Sequence, residues 1–198
     1  MKQNKLVIHS SAFHSSHSDW KKIPENPTMP QIAFCGRSNA GKSSLLNAIL
    51  ARKEIARVSA TPGKTRLINF FLLNDHYFLV DLPGFGYAKA SNQTRDDLIN
   101  IVNGYLNHVK TLKLLFVLCD ASRPLPDEEL SLIDVASAKK IKVALVRTKV
   151  DKLNQKEKAK LMKELEEIKK EYTELDIFLS STKTNEGILE LRNLLAEY

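Results

Sequence analysis

The chain has 198 residues and no run of about 18 consecutive apolar residues, which argues against a membrane-spanning helix. Its first twenty residues, MKQNKLVIHSSAFHSSHSDW, lack the continuous apolar stretch of a secretory signal, so a cytoplasmic location is expected. Cysteine is scarce. Cys35 and Cys119 sit inside the apolar runs IAFC and LLFVLC, where reduced, buried filler is expected rather than redox chemistry. Repeats, low-complexity tracts and long Gly/Ser linkers are missing too, and the length suits one domain with an ordinary core. A hydrophobic share of 43% and a charged share of 27% are those of a soluble fold. The net charge is +7, which favours polyanionic partners such as RNA, DNA or anionic lipid. Composition alone does not separate that from a protein that is merely basic.

Residues 1–30 are polar, His-rich and contain Pro24, Pro27 and Pro30, reading as a leader strand or arm before a main domain at 31–198. His9, His14 and His17 have no Cys nearby and no helical spacing, so solvated histidines are expected there rather than a metal site. From residue 31 strands and helices alternate. IAFCG (32–36) is a short apolar strand, and Ser43–Leu50 carries Leu46, Ile49 and Leu50 at helical spacing. LINFFLL (67–73) and YFLVDL (77–82) flank the turn Asn74-Asp75-His76 as a hairpin. Residues 95–109 form an amphipathic helix, 112–120 and 142–148 buried strands, and Pro126-Asp127-Glu128-Glu129 a helix start with early Pro and acids in the first turn. A Lys/Glu-rich helix is expected over 154–172 with Leu161, Leu165, Ile168 and Tyr172 inward, then a strand at 176–180 and a helix at 185–197. This alternation predicts an α/β fold: a doubly wound, mainly parallel sheet with helices on both faces. Such sheets bind ligands at the carboxyl ends of their strands.

Gly36-Arg37-Ser38-Asn39-Ala40-Gly41-Lys42-Ser43 is G-x-x-x-x-G-K-S, directly after a strand and opening a helix. Its glycines let backbone amides turn inward around phosphate oxygens, and the helix N-terminus adds positive partial charge. Lys42 is placed to reach the β and γ phosphates and the Ser43 hydroxyl to ligate Mg²⁺, with Ser44 alongside. Asp81-Leu82-Pro83-Gly84 closes an apolar strand, where the carboxylate can hold Mg²⁺ through water and the Gly84 amide can approach a γ-phosphate. Between these motifs lies Thr61-Pro62-Gly63-Lys64-Thr65-Arg66-Leu67. A threonine here can ligate Mg²⁺ only when a triphosphate is bound; Thr61 and Thr65 are both candidates, with Thr65 preferred. Thr148-Lys149-Val150-Asp151 resembles the [N/T]-K-x-D base-reading motif, with Thr148 where Asn is common. The Asp151 carboxylate can accept two hydrogen bonds from guanine, adenine offers no such donor pair, and Lys149 can pack its stem on the base. The backbone of Ser180-Ser181-Thr182 can meet guanine O6. The order and placement of these motifs point to GTP and GDP as ligands, with Lys42, Thr65 and Gly84 nearest the chemistry.

The runs GRSNAGKSSLLNA, TPGKTRLINFF, DLPGFGYA, TKVD and SST resemble the EngB family of bacterial ribosome-biogenesis GTP-binding proteins, within the TrmE–Era class of P-loop NTPases. The resemblance spans roughly residues 6–198. It implies a small G domain, Mg²⁺ on Ser43 and Thr65, and a role in assembly of the large ribosomal subunit through rRNA and ribosomal proteins, needed for normal division and septation. A monomer is expected. Related GTPases with Asn at the Asn39 position bind K⁺ near the phosphates; the alternative is that Asn39 only caps the loop.

Phosphoryl transfer needs positioning and charge neutralisation. Many GTPases carry Gln directly after D-x-x-G, but this chain has Phe85, which cannot orient water by hydrogen bonding. Slow intrinsic hydrolysis is therefore expected, raised by a partner or a cation. The loops 55–65 and 85–94 are expected to move with nucleotide state, and Arg52, Lys53, Arg57, Lys64 and Arg66 can meet rRNA phosphates or form a solvated surface. Two other functions share part of the pattern. A P-loop small-molecule kinase would not need TKVD after a late strand, whereas a nucleotide-gated RNA or protein adaptor with negligible turnover is compatible with Phe85.

Overall fold

A computed structural model describes residues 6–23, 29–52, 67–85 and 92–198. Its strands are β1 (Ser11–His17), β2 (Gln31–Gly36), β3 (Ile68–Leu73), β4 (Tyr77–Asp81), β5 (Leu112–Asp120), β6 (Lys142–Thr148) and β7 (Asp176–Ser180). Its helices are α1 (Lys42–Ile49), α2 (Asn92–His108), α3 (Asp127–Ala138), α4 (Gln155–Glu171) and α5 (Ile188–Leu195). The strands form one sheet in the order β1-β3-β4-β2-β5-β6-β7. β4, β2, β5, β6 and β7 run parallel, while β3 is antiparallel to both β1 and β4.

The central strands are apolar on both faces because both faces are covered. Successive side chains of β2 alternate between two cores. Ala33 and Cys35 pack with Val102 and Tyr105 of α2, Leu132 and Ile133 of α3, and Leu161 and Leu165 of α4. Ile32 and Phe34 pack on the other face with Leu45 and Ile49 of α1 and Leu191 and Leu195 of α5. Phe34 stacks on Phe116 of β5 at 4.8 Å. This is the doubly wound α/β arrangement expected from the sequence. Both cysteines are free and buried, and burial pushes the Cys35 thiol up to about 12.

The amino-terminal segment contributes an edge strand to this sheet. Asn74, in the β3–β4 turn, accepts the amides of His9 (2.8 Å) and Ser10 (3.1 Å) and donates to the Val7 carbonyl at 2.7 Å. Trp20 then stacks on His108 of α2 at 3.9 Å, and Gly104 leaves it room: a Cβ there would lie 2.2 Å from the indole nitrogen. His14 and His17 lie edge-on to Phe78 and Phe70.

Several boundaries differ from the sequence reading by one to three residues, and two of them have clear reasons. α4 begins under a capping box: the Asn154 side chain accepts the Glu157 amide, and Glu157 accepts the Asn154 amide. The last helix starts at Ile188, not near 185, because Asn185 and Gly187 take φ of 61° and 73°, outside the helical region. A Cβ on Gly187 would also lie 2.0 Å from the Leu179 carbonyl oxygen.

Among the described residues, the ionisable side chains of Arg147 and Glu129 are fully buried. Arg147 of β6 donates to the Glu164 carboxylate at 2.6 Å and to the Arg123 carbonyl. Glu129, in the first turn of α3, has neither carboxylate oxygen hydrogen-bonded. Burial pushes its carboxyl up to about 7, opposed in part by the charge of Arg37.

The Glu164 side chain is 28% exposed and can fall back on water, whereas the Arg147 guanidinium is fully buried, so removing Glu164 strands a buried charge and removing Arg147 does not. Glu164→Ala should therefore destabilise the chain by about 3 kcal/mol in urea unfolding, and Arg147→Met by clearly less. Equal losses would show that the pair does not compensate a buried guanidinium.

Candidate functional site

The carboxyl end of β2 lies where the chain's winding reverses, with β4 on one side and β5 on the other. Gly36 ends the strand with φ of +145°, and a Cβ there would lie 2.3 Å from the Leu118 carbonyl oxygen of β5. Only glycine lets the two backbones come so close. The chain then curls: the Ala40 amide donates to the Arg37 carbonyl at 3.0 Å, Asn39 adopts φ of 66°, and Gly41 adopts φ of 90° as the N-cap of α1. Gly41 brings no side-chain cap, so the first amides of α1, from Lys42, Ser43 and Ser44 onward, keep their polarity for an anion.

The D-x-x-G segment packs against this loop. The Leu82 amide donates to the Phe34 carbonyl at 3.0 Å, and the Ser38 amide to the Phe85 carbonyl at 2.9 Å. Pro83 and Gly84 lie between these ties. A Cβ on Gly84 would come within 3.0 Å of the Lys42 ammonium and 3.2 Å of the Ser38 backbone. The Lys42 ammonium in turn reaches the Gly36 carbonyl at 3.4 Å. Asp81 ends β4 almost fully buried, and its Oδ1 has no hydrogen-bond partner. Burial raises its carboxyl, and Lys42 and Asn69 counter that in part. An orphaned, buried carboxylate oxygen close to a strong cation fits a hard metal such as Mg²⁺, which takes oxygen donors.

The β6–α4 loop arrives from the other side. The buried Thr148 hydroxyl donates to the Ala40 carbonyl at 2.7 Å. Lys149, at φ of 62°, donates to the Asn39 carbonyl at 2.6 Å and to the Asp120 carboxylate at 2.9 Å. Val150 is buried and anchors the short helix Val150–Lys152. The Asp151 carboxylate accepts the Ser181 hydroxyl at 2.6 Å, and that bond holds it below the usual carboxylate range, so it is ionised at neutral pH. Ser180 and Ser181 are buried at the end of β7, and Thr182 is exposed.

The structure thus brings together Gly36–Ser44, Asp81–Phe85, Thr148–Asp151 and Ser180–Thr182 at one edge of the sheet. Gly63, Lys64, Thr65 and Arg66, the alternative Thr61, and most of both loops expected to move lie outside the described residues; Leu67 is exposed just before β3. Lys53, Arg57 and residues 86–91 lie outside them too. Arg52 turns toward the amino-terminal strand, with its Nε 3.4 Å from the Ser11 hydroxyl.

Two participants escaped the sequence reading. Asp120 anchors Lys149 and itself accepts the amide and hydroxyl of Ser122. Burial would raise its carboxyl, but the bonds from Lys149 and Ser122 bring it below the ordinary value. An acid ending the buried run LLFVLCD was the available signal. Ser181 was expected to act through its backbone, yet its side chain is what orients Asp151.

A family model described as 50S ribosome-binding GTPase matches residues 31–149. A probable GTP-binding protein EngB from Leptospira biflexa is 50% identical over 186 residues, 93% of this chain and 87% of its own length. The chain belongs to the EngB family of GTP-binding proteins. An EngB protein of Thermotoga maritima is 44% identical over 170 residues, 86% of this chain and 87% of its own. Among solved structures, a probable GTP-binding protein EngB matches with a TM-score of 0.69 at 18% identity, over 84% of this chain and 97% of that one. Aquifex aeolicus Era bound to GDP and AlF4⁻ gives 0.66 at 24% identity, over 86% of this chain and 57% of Era. At those identities the structures show a shared fold, the P-loop GTPase domain, while the EngB sequences show the family.

The two loop glycines in this EngB-family chain differ in what they avoid. A Cβ at Gly41 would meet only ordinary contacts, the nearest at 3.8 Å, so its burden is φ alone. Gly41→Ala should cost about 1–2 kcal/mol, and Gly36→Ala, which adds a backbone clash, about 3 kcal/mol or more. Thermal or urea unfolding of both variants checks the ranking, and equal losses would contradict it.

Proposed function

We propose that this chain is a slow GTPase switch acting in assembly of the large ribosomal subunit. The observation that carries the nucleotide part is the pair of hydrogen bonds from Thr148 and Lys149 to the Ala40 and Asn39 carbonyls. They join the base-reading motif rigidly to the phosphate loop, fixing the span between a guanine and its phosphates. Family membership and the family model's description support the ribosomal part. An Era structure described as a complex with MgGDPNP and part of 16S ribosomal RNA belongs to the same fold, and the net charge of +7 suits an RNA partner. A division or septation defect on depletion would follow from a shortage of subunits.

In this reading the amides of Asn39, Gly41, Lys42, Ser43 and Ser44 and the Lys42 ammonium bind the phosphates, while Arg37, Ser38 and Ala40 shape the loop through their own backbone bonds, and the Gly84 amide meets the γ-phosphate. Ser43, Thr65 and, through water, Asp81 would hold Mg²⁺, which when bound supplies charge neutralisation on the β and γ phosphates. Gly63, Lys64, Arg66 and Leu67 would contribute to nucleotide binding beside Thr65. Asp151, held ionised by Ser181, accepts the guanine N1–H and 2-amino group, while Lys149 lies along the base and Val150, Ser180 and Thr182 complete the base pocket. Leu82 and Pro83 set the course of the D-x-x-G segment. Phe85 supplies no water-orienting group, so the isolated chain turns over slowly and its partner supplies the missing element. Asn39, exposed in a left-handed conformation, is the candidate for a K⁺ contact. The chain acts as a monomer in the cytoplasm.

Three outcomes test this. Asp151→Ala should reduce the preference for GTP over ATP by about 100-fold or more, since two charge-assisted hydrogen bonds are lost, and Ser181→Ala by about fivefold. Fluorescent-nucleotide competition measures both, and an unchanged preference in Asp151→Ala would defeat the base-reading role. Isolated turnover should stay well below about one per second. It should be faster in KCl than in NaCl; equal rates would reject the K⁺ contact. Co-sedimentation with large subunits should be strongest with GTP, and binding indifferent to nucleotide would argue for a different partner.

A further inference from the structure

Glu129 has no part in the nucleotide chemistry above, yet its carboxyl group is fully buried without a hydrogen bond on either oxygen. It sits in the first turn of α3, which packs on β5 and β6. The charge of Arg37, the second residue of the phosphate loop, favours the ionised carboxylate, as do the nearby backbone amides of Glu129 itself and of Arg37, while Glu128 of its own helix opposes it. Its own charge is in turn felt by the thiols of Cys35 on β2 and Cys119 on β5. Burial keeps both thiols neutral at physiological pH, pushing them to about 12 and about 11. The phosphate loop thus favours this carboxylate through both the charge and the amide of Arg37, and Glu128 disfavours it. A cavity of about 220 Å³, lined by Phe85, Val102, Glu128 and Leu132, flanks this turn between α2 and α3.

We propose that Glu129 is a proton-linked positioning residue beneath the phosphate loop, ionised toward Arg37 when the loop is empty and protonated when nucleotide phosphates occupy it. This rests on the reading of Gly36–Ser43 as a phosphate cradle. Phosphate oxygens bring negative charge to the other side of the loop and engage the field of Arg37 that favours the carboxylate. Ionised Glu129 then meets repulsion from a nucleotide and loses its counter-charge. It takes one proton from solvent, the O–H bond forming on a carboxylate oxygen, and the turn of α3 keeps its place under the loop. With an empty-loop value of about 7, the carboxylate is substantially ionised at neutral pH. Binding therefore draws in protons near and above neutrality.

The sign follows from linkage. A group whose proton is held more tightly in the bound state makes affinity fall as pH rises between the free and bound values, by up to tenfold per pH unit. Glu129→Gln, neutral throughout, removes that dependence while keeping size and shape. Nucleotide phosphates titrate as well, but identically with either protein, so the difference between the proteins isolates residue 129.

The test is calorimetric titration of GDP with Mg²⁺ at about pH 7.5 in two buffers of different ionisation enthalpy, which counts protons taken up. The parent chain should take up about half a proton more than Glu129→Gln, and its affinity should fall by about tenfold relative to that variant between about pH 6.5 and pH 8.5. Equal uptake by two proteins that both bind GDP overturns the proposal and leaves the nucleotide reading standing. If Glu129→Gln does not fold, Glu129→Ala supplies the same neutral reference, and a parent chain whose proton uptake and pH dependence match that variant's overturns the proposal. A parent chain that does not bind GDP defeats the nucleotide reading, and this proposal with it.

Discussion

The ammonium of Lys149 bonds to the Asn39 carbonyl and the Asp120 carboxylate, and through them one side chain gathers the carboxyl ends of β2, β5 and β6. Its neighbour Thr148 repeats the tie with a buried hydroxyl on the Ala40 carbonyl. These bonds engage two loop carbonyls from the β6 side, so the loop amides that the Phe85 and Arg37 carbonyls do not already take stay available. Ring-like curls of amides are anion sites when their carbonyls are satisfied elsewhere. The arrangement of the phosphate loop therefore depends on residues more than a hundred positions downstream. The sheet that brings them together is part of the site.

That sheet tolerates no slack at the crossing of β2 and β5. Gly36 lies against the Leu118 carbonyl, and at the far end of the site Gly187 lies against the Leu179 carbonyl in the same way. At Gly36 a strand end meets the neighbouring strand β5 through backbone alone, and at Gly187 the N-cap of α5 meets β7 in the same way, which sets the height from which each helix departs. Ser181, just beyond β7, then presents its hydroxyl to Asp151 while accepting the amides of Lys183 and Thr184. A carboxylate fixed by a hydroxyl whose own lone pairs are engaged is preorganised, and preorganisation is what converts a pair of hydrogen bonds into discrimination.

The sequence disclosed the architecture through its periodicities. Buried strands such as LKLLFVLCD and KVALVRT read as continuous apolar runs because helices cover both faces. Helix limits were less visible where a single backbone conformation decides them, as at Gly187 and at the Asn154 capping box. The leader segment was legible as a strand or arm; its place beside β3 depends on the Asn74 side chain, a contact across more than sixty residues that no local pattern encodes. Within the site, G-x-x-x-x-G-K-S and TKVD were visible because their residue types are demanded by chemistry. Asp120 was not, since an acid at a strand end acquires a purpose only when Lys149 is folded against it. Glu129 was visible only as a good residue for a helix start, and periodicity cannot reveal that its carboxylate would be buried unpaired.

The use made of Phe85 bears on what kind of switch this fold supports. Its carbonyl accepts the Ser38 amide and its ring is buried beside α2 and α3, so the residue after D-x-x-G is committed to holding the phosphate loop against the helices. A side chain buried there cannot also swing out to hold a water. The same commitment gives the loop a mechanical route to α2 and α3, through a residue bonded to the loop by its carbonyl and packed on the helices by its ring. Under the proposed function, a fold that spends this position on coupling senses nucleotide well and leaves hydrolysis to be completed by its partner. Timing of release from the ribosome would then be set by contact with the particle, which is the behaviour an assembly checkpoint requires.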